Sequence, residues 1–331
     1  MKALQTHAVG GPDTLVLDEL PDPVAGPGQV IVAVKACSIN FPDTLMIRDM
    51  YQFKPQRPYS PGGELAGVID SVGEGVTDWK VGDRVIAMVG NGGLREKVVA
   101  DPARLFALPE GVDFDTGASL LMTYGTNIHG LVDRGQIKAG DTVLVLGAAG
   151  GIGLAAIELS KAFGARVVAA VSTEEKGQIA REAGADEVVI YPRAPLDKAQ
   201  SKELADAFKA ACGPNGADIV YDVIGGDYSE PAVRAIGWEG RFLVIGFTAG
   251  IAKLPLNLTL LKACDVRGVF WGAWTAREPV KFKEEVAELF EMVKQGKIRP
   301  RVSARFPLER GGEAIAMLEN RQAVGKVVVT M

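Results

Sequence analysis

The sequence predicts an α/β protein in which a doubly wound parallel sheet is inserted into a β-rich domain. Three observations support this prediction. The chain has 331 residues, which is too many for one ordinary core. The stretch before residue 125 carries short apolar runs separated by turns, whereas strand-like and helix-like segments alternate after residue 120. We therefore expect an N-terminal β-rich part over 1–125, a nucleotide-binding domain over 126–265 and a C-terminal return over 266–331.

The N-terminal part is dense in glycine and proline. Its apolar runs at 29–36, 65–72 and 83–89 are bounded by Pro-Gly, Pro-Gly-Gly and Asn-Gly-Gly sequences. Short strands with frequent turns predict a compact, barrel-like domain.

The alternating region begins with a continuous apolar strand at 142–146, as expected where both faces of a sheet are covered. A helix is predicted over 152–163 and ends at Gly164. Ser172 or Thr173 is the candidate cap of a second helix. Further strands are predicted at 166–171, 187–190, 218–223, 241–246, 266–270 and 325–330, and further helices at 281–294 and 311–320.

Composition restricts the classes of partner. Apolar residues make up 47% and charged residues 23% of the chain, and the net charge is −5. This balance argues against nucleic acid or an anionic membrane as a partner. No signal sequence and no apolar run long enough to span a bilayer is recognised. Three widely spaced cysteines, Cys37, Cys212 and Cys264, predict free thiols in a reducing cytoplasm.

The strongest local motif is Gly147-Ala-Ala-Gly150-Gly-Ile-Gly153, which lies between a buried strand and a helix. Gly150 and Gly151 let the backbone approach a pyrophosphate, and Gly153 lets the helix pack closely on the strand. Ala148 replaces the first glycine of the usual dinucleotide fingerprint, but the strand, turn and helix occur where the mechanism needs them. The alternative is a tight βα turn without a ligand.

The second strand of this unit ends without a carboxylate that could bind a ribose diol. Ser172 stands at its tip, Lys176 follows one turn later, and Tyr191 stands at the tip of the third strand. This pattern favours NADP over NAD. Lys176 could instead be a solvated helix residue, and two neighbouring glutamates weaken the positive field around it.

Taken together, the motifs resemble the medium-chain dehydrogenase/reductase superfamily, in its zinc-free quinone oxidoreductase (zeta-crystallin-like) branch. The resemblance covers nearly the whole chain and depends on the order and spacing of the motifs. The matching segments are Asn40-Phe-Pro-Asp43, Pro61-Gly-Gly-Glu64-Leu-Ala-Gly67, Val81-Gly-Asp-Arg-Val85, the glycine motif, Tyr221-Asp-Val-Ile-Gly-Gly226, Gly240-Arg-Phe-Leu-Val-Ile-Gly246-Phe, Val269-Phe-Trp-Gly272 and Gly325-Lys-Val-Val.

This resemblance implies a GroES-like β domain, a Rossmann domain and a cleft between them, together with NADPH as cofactor. It also implies a homodimer joined through Rossmann edges, with 254–270 as the candidate interface. The cofactor-contacting positions that it implies are Asn40, Thr126, Gly150, Gly151, Ile152, Ser172, Lys176, Tyr191, Phe247, Phe270 and Trp271.

No metal site is expected. Asn40 and Gly63 stand where zinc-dependent relatives carry a cysteine and a histidine, and neither is a useful zinc ligand. His7 and His129 have no ligand-spaced partners in the sequence. Without zinc to polarise an oxygen, the substrate should carry its own electrophilicity, as a conjugated carbonyl does.

The resulting hypothesis is an NADPH-dependent reductase that delivers hydride to a quinone or another conjugated carbonyl. The alternatives are an enoyl-thioester or enone C=C reductase and a non-catalytic NADPH-binding protein. Tyr51 is a candidate proton donor because related enoyl-thioester reductases have a tyrosine there, but it could also line the cleft. Asn40 is expected to orient the cofactor or a water. Arg48 is expected to pair with Asp43 or Asp49 rather than to attract an anionic substrate.

Overall fold

The computed structural model describes residues 1–331 and divides them into two compact units. Unit 1 comprises Met1–Met122 and Pro300–Met331, and unit 2 comprises Thr123–Arg299. The strands are β1 Lys2–Gln5, β2 Val16–Glu19, β3 Val30–Ile39, β4 Glu64–Val72, β5 Arg84–Met88, β6 Lys97–Ala100, β7 Leu105–Ala107, β8 Thr142–Leu146, β9 Arg166–Val171, β10 Glu187–Ile190, β11 Ala217–Asp222, β12 Ile236–Val244, β13 Asp265–Gly268, β14 Val302–Pro307 and β15 Lys326–Thr330.

The helices are α1 Phe41–Met46, α2 Phe114–Ala118, α3 Thr126–Ile128, α4 Gly151–Ala162, α5 Glu174–Glu182, α6 Lys198–Cys212, α7 Ser229–Ala235, α8 Asn257–Lys262, α9 Trp271–Arg277, α10 Pro279–Lys294 and α11 Gly311–Glu319. Two π-helical segments, Leu121–Gly125 and His129–Arg134, flank α3. Short 3-10 turns cover Pro12–Thr14, Pro102–Arg104, Gly226–Tyr228 and Leu308–Arg310.

Unit 1 is built around a seven-stranded sheet. Six of its strands lie in the order β14-β15-β3-β4-β5-β7, and β6 also pairs with β3. All its pairings are antiparallel except the one between β14 and β15. Alternate residues of β3, such as Val30, Val32 and Val34, enter the core of this unit. This confirms the predicted β-rich domain.

Unit 2 is a six-stranded, wholly parallel sheet in the order β10-β9-β8-β11-β12-β13. Strand β8 is central, and Val143, Leu144, Val145 and Leu146 are fully buried, as the apolar run predicted. The chain moves outward from β8 to β9 and β10, and then returns to the other side of β8 with β11. Sheets of this kind bind ligands beyond the carboxyl ends of the strands, at such a reversal.

The element predictions agree best in unit 2. Strands at 142–146, 166–171 and 187–190 have the predicted bounds, and the other predicted strands and helices of both units shift by a few residues. The 15-residue helix α6 was missed, although Asp197 and Gln200 form a capping box at its start. Strands β1, β2 and β14 were also missed because they are short or lie at a sheet edge.

The structure places the start of the C-terminal return at Pro300 and not near residue 266, and the first boundary lies at 122/123 instead of 125/126. The difference arises because β13 pairs with β12 and thereby completes the parallel sheet. Helix α10 also belongs to unit 2, where the Lys281 ammonium bonds the Asp133 carboxylate. Only α11 and the strands around it return to unit 1.

All three cysteines are free and buried, as expected from their spacing. None of the helices combines the length and the apolar character that crossing a bilayer requires. The cytoplasmic location stays a prediction.

Candidate functional site

The glycine turn of unit 2 has the geometry that the sequence predicted. Gly147 adopts a left-handed backbone (φ 73°), and a Cβ at Gly153 would clash with the Gly147 carbonyl oxygen and the Ala148 backbone. Glycine at 153 is therefore required for α4 to pack against the turn. A Cβ at Gly150 would meet only the Gly147 oxygen, at an ordinary 3.6 Å. Internal packing does not demand glycine at 150, so the open space there suits an approaching ligand.

A groove of about 580 Å³ lies beside the tips of β9 and β10. Ser172 and Tyr191 line it, as does Arg193, which the sequence analysis missed because it lies beyond the third strand. The Thr173 hydroxyl accepts a hydrogen bond from the Lys176 backbone and caps α5, which settles the choice between the two cap candidates. Lys176 does not line the groove, whereas Glu203 of α6 does.

The predicted cofactor residues of unit 2 follow strands of the parallel sheet, with the exception of Thr126. The glycine turn follows β8, Ser172 follows β9, Tyr191 follows β10, Phe247 follows β12, and Phe270 and Trp271 follow β13. Because the strands are parallel, these residues share the carboxyl edge of the sheet.

The predicted cofactor residues of unit 2 differ in their exposure to solvent. Phe247 and Phe270 are 46% and 55% exposed, whereas Trp271 is buried against Gly125. Thr126, Gly151 and Ile152 are partly buried. Phe247 and Phe270 therefore present exposed rings at the carboxyl edge of the sheet.

Asn40 belongs to a buried polar cluster in unit 1. The Lys326 ammonium donates to Asn40 Oδ1 at 2.7 Å and lies 3.7 Å from Glu64 Oε2. The Asn40 amide nitrogen donates to Ser38 Oγ at 3.3 Å and to Glu64 Oε2 at 3.4 Å. Glu64 Oε1 accepts the Met122 backbone N–H at 2.9 Å. Both ends of the Asn40 amide are therefore fixed.

Lys326 and Glu64 are functional candidates that the sequence analysis did not assign. Burial lowers the pKa of the Lys326 ammonium, while the carboxylates of Glu64 and Asp43 act in the opposite direction. Both residues lie in motifs that carried the family resemblance, Pro-Gly-Gly-Glu and Gly-Lys-Val-Val. A buried lysine at the start of an apolar strand was the signal that could have identified the cluster.

Tyr51 and Asp43 lie beyond Asn40 along the chain. Burial raises the pKa of Asp43 to about 6, although its two oxygens accept backbone N–H groups from Asn40 and Gly62. Burial, with a smaller contribution from the Asp43 charge, also raises the pKa of Tyr51. The Tyr51 phenol therefore stays protonated at neutral pH and can donate a hydrogen bond.

Arg48 was expected to pair with Asp43 or Asp49, and the structure shows that it pairs with neither. Its guanidinium bonds Glu319 of α11, with an Nη2–Oε1 distance of 2.6 Å. Asp49 instead pairs with Arg57 at 2.8 Å and adopts a left-handed backbone (φ 56°). Local sequence patterns do not indicate the Glu319 pairing, because this partner lies 271 residues away.

Asn40 and Gly63 are the two positions that were compared with zinc ligands. The Asn40 amide is engaged by Lys326 and Ser38. A Cβ at Gly63 would lie only 3.0 Å from the Gly90 carbonyl oxygen, so a histidine there requires a backbone shift.

The sequence suggested that His129 stands alone, but the structure gives its side chain two carboxylate neighbours. Its Nδ1 lies 2.7 Å from Asp133 Oδ2, one helical turn later, and Glu285 of α10 lies beside both residues. Both neighbours are carboxylates, and neither belongs to the histidine and cysteine spacings that indicate a zinc site in a sequence.

Comparisons with known proteins agree with this architecture. Residues 26–110 match the alcohol dehydrogenase GroES-like domain, and residues 151–294 match the zinc-binding dehydrogenase model. The chain is 36% identical to a quinone oxidoreductase-like protein 2 homolog of Nematostella vectensis over 99% of this chain and 88% of that protein.

Two solved structures are similar along their whole length. The Escherichia coli quinone oxidoreductase complexed with NADPH has a TM-score of 0.90 at 28% identity, and both chains are covered completely. A mycobacterial protein complexed with NADPH has a TM-score of 0.91 at 29% identity, again with complete coverage of both chains. The chain is therefore an oxidoreductase that belongs to the medium-chain dehydrogenase/reductase superfamily, in its quinone oxidoreductase branch.

Proposed function

We propose that this protein is an NADPH-dependent, zinc-independent oxidoreductase that transfers hydride to a quinone or another conjugated carbonyl. The observation that carries the proposal is the carboxyl edge of the parallel sheet, which carries both the open glycine turn after β8 and a groove lined by Ser172, Tyr191 and Arg193 beyond β9 and β10. No carboxylate stands at the tip of β9, where NAD-binding proteins place one. The NADPH complexes of the two similar structures support the same cofactor.

Different residues would bind different parts of NADPH. Backbone N–H groups at the start of α4 would hold the pyrophosphate, and Gly150 and Gly151 would give it room. Ser172, Lys176 and Arg193 would hold the 2′-phosphate as donors and cations. We assign the remaining cofactor contacts to Asn40, Thr126, Ile152, Tyr191, Phe247, Phe270 and Trp271.

When bound, NADPH supplies the hydride. Tyr51 or a water would supply the proton that completes the reduction once the conjugated carbonyl has accepted the hydride. Asn40 would orient the reacting groups, because an amide does not titrate and both of its ends are fixed. Conjugation spreads the developing charge, so the reaction needs no metal to polarise the oxygen.

An enone or enoyl-thioester C=C reductase is the second candidate, because Tyr51 stands where related enoyl-thioester reductases carry a tyrosine. Reduction of a C=C bond leaves an enolate, which must receive a proton, and a neutral phenol can donate one. A quinone takes two electrons to a stabilised hydroquinone and depends less on such a donor.

We also propose that two copies of the chain pair through one edge of unit 2. Strand β13 ends the parallel sheet and pairs only with β12. Trp238, Leu256, Leu260 and Leu261 nearby are 70%, 74%, 80% and 65% exposed. An unpaired strand edge beside apolar side chains suits a twofold contact with a second copy.

The cofactor preference can be tested with the double variant Ser172→Ala/Lys176→Ala. We expect NADPH to bind at least about tenfold more weakly, because the 2′-phosphate loses a donor and a cation, while NADH binding stays the same. Fluorescence titration measures both affinities. Lys209→Ala, which removes an exposed cation from α6, is the matched control. A wild-type protein that prefers NADH would contradict the proposal.

The acceptor class can be tested by following NADPH oxidation with small quinones, enones and enoyl thioesters. We expect the wild-type protein to turn over at least one of these classes. If the Tyr51 phenol donates the proton, Tyr51→Phe should lower enone or thioester turnover about 10²-fold or more. Quinone turnover and NADPH affinity should change little. No oxidation with any of the three classes would overturn the proposed function, and unchanged enone turnover in Tyr51→Phe would show that this residue only lines the site.

The role of Lys326 can be tested with Lys326→Met. We expect the free energy of unfolding to fall by about 3–5 kcal/mol, because Glu64 is left buried without its cation. Lys2→Met, which breaks an exposed pair with Glu309, should leave the free energy of unfolding almost unchanged. Denaturant titration measures both values.

A second variant separates positioning from stability. Lys326→Met/Glu64→Gln removes the unpaired charge and should recover much of the stability. If Lys326 positions the Asn40 amide, kcat stays low in this double variant while NADPH affinity is retained. Full recovery of kcat together with stability would show that Lys326 is only structural.

Pairing of the chain can be tested by sedimentation velocity. We expect a species of twice the 35.0 kDa chain mass, which becomes monomeric in Leu260→Glu because a charge is placed on the contact. Val24→Glu, at an equally exposed apolar residue of unit 1, should leave the dimer intact. A monomeric wild-type protein at micromolar concentration would contradict this proposal.

A further inference from the structure

Three ligand-type side chains meet in unit 2, outside the residues assigned to cofactor and acceptor. We refer to His129, Asp133 and Glu285 as the His129 cluster. His129 and Asp133 lie one turn apart on the π-helical segment, and Glu285 projects from α10. One nitrogen or oxygen atom from each residue lies within 4.8 Å of the other two. His129 and Glu285 are only 5% and 8% exposed.

The cluster contains a buried polar atom that the protein leaves without a partner. Glu285 Oε2 is inaccessible to solvent and has no hydrogen-bond partner. A buried, charged oxygen of this kind is costly, and the adjacent Asp133 carboxylate increases the cost. The site therefore lacks a positive charge at Glu285, which either a proton or a metal ion could supply.

The hydrogen-bond donors already present act on Asp133. The Lys281 ammonium bonds Asp133 Oδ1, and the His129 ring bonds Asp133 Oδ2. The Lys281 side chain is 49% exposed, so it can rotate into solvent and leave an entry path to the cluster. The Trp274 ring stacks on His129 with 4.3 Å between centroids and holds the imidazole in place.

We propose that the His129 cluster binds one divalent transition-metal ion of the zinc type through the His129 imidazole and the carboxylates of Asp133 and Glu285. An imidazole with two carboxylates suits zinc or cobalt better than magnesium or calcium, which prefer oxygen ligands alone. Ligand atoms around one tetrahedral zinc ion lie about 3.4 Å apart, so side-chain shifts of about 1 Å would close the site. A water would complete the coordination.

This ion would have a structural role. It would connect the His129–Arg134 segment to α10 within unit 2, and none of its ligands is among the residues that we assign to hydride transfer. The site is separate from the Asn40 and Gly63 positions, where zinc-dependent relatives hold their catalytic metal.

The test uses the full chain, stripped of metal with a chelator and titrated with Zn²⁺ by calorimetry and with Co²⁺ by absorption spectroscopy. We expect one ion per chain and a higher Tm with metal. Glu285→Gln, which imitates the protonated acid and should fold, and His129→Gln should each weaken binding at least about tenfold. His7→Gln, at the other histidine, should not.

The variant Lys281→Met distinguishes a metal site from a Lys281–Asp133 ion pair that is purely structural. Removal of the competing ammonium should tighten metal binding severalfold, even if the metal-free protein becomes less stable. Absence of saturable binding, or unchanged binding in Glu285→Gln, would overturn the proposal and leave a proton shared between two carboxylates. A cobalt–thiolate charge-transfer band would also overturn it, since the cysteines would then be the ligands.

NADPH oxidation measured on the same stripped samples keeps this inference distinct from the proposed function. Unchanged turnover after chelation supports zinc-independent hydride transfer, whatever the binding result at the His129 cluster. Turnover that is lost and then restored by zinc would contradict zinc-independence, while the calorimetry and the variants would still decide the cluster.

Discussion

The close approach of α4 to the end of β8 is the constraint on which the nucleotide site depends. The backbone at Gly147 and Ala148 occupies the space that any side chain at position 153 would need. Glycine at 153 therefore brings the first turn of α4, with its unpaired N–H groups, directly over the strand end. Gly150 lacks such an internal requirement, so one motif contains a glycine needed for packing and a glycine that leaves room for a ligand.

In the polar cluster of unit 1, the cost of burying the Lys326 and Glu64 charges is set against their effect on the orientation of Asn40. Lys326 and Glu64 are almost completely buried, and such a pair contributes little net stability because both charges lose their hydration. Its specific effect is geometric. The ammonium fixes the oxygen end of the Asn40 amide, and Ser38 and Glu64 fix the nitrogen end. If the acceptor is the conjugated carbonyl that we propose, it needs no metal to polarise it, and fixed orientation is the contribution that such a group can make.

The sequence predicted the parts of the protein that local patterns specify. The buried strands β8, β9 and β10 and the glycine turn depend on residues that are close together in the chain, and their predicted bounds held. The Asn40–Lys326 bond, the Arg48–Glu319 pair and the Glu285 neighbour of His129 join residues 286, 271 and 156 positions apart. No periodicity or spacing encodes such contacts, so these partners became visible only in the folded chain.

The same reasoning explains why the boundary near residue 265 was misplaced. The transition was expected at the last predicted strand of the alternating region, but β13 completes the sheet that β12 would otherwise end. Helix α10 then packs within the same unit and brings Glu285 beside Asp133. A boundary at 265 would separate Glu285 from both of its neighbours. The His129 cluster thus exists only because α10 stays with the parallel sheet, and its unsatisfied carboxylate oxygen is a consequence of that packing.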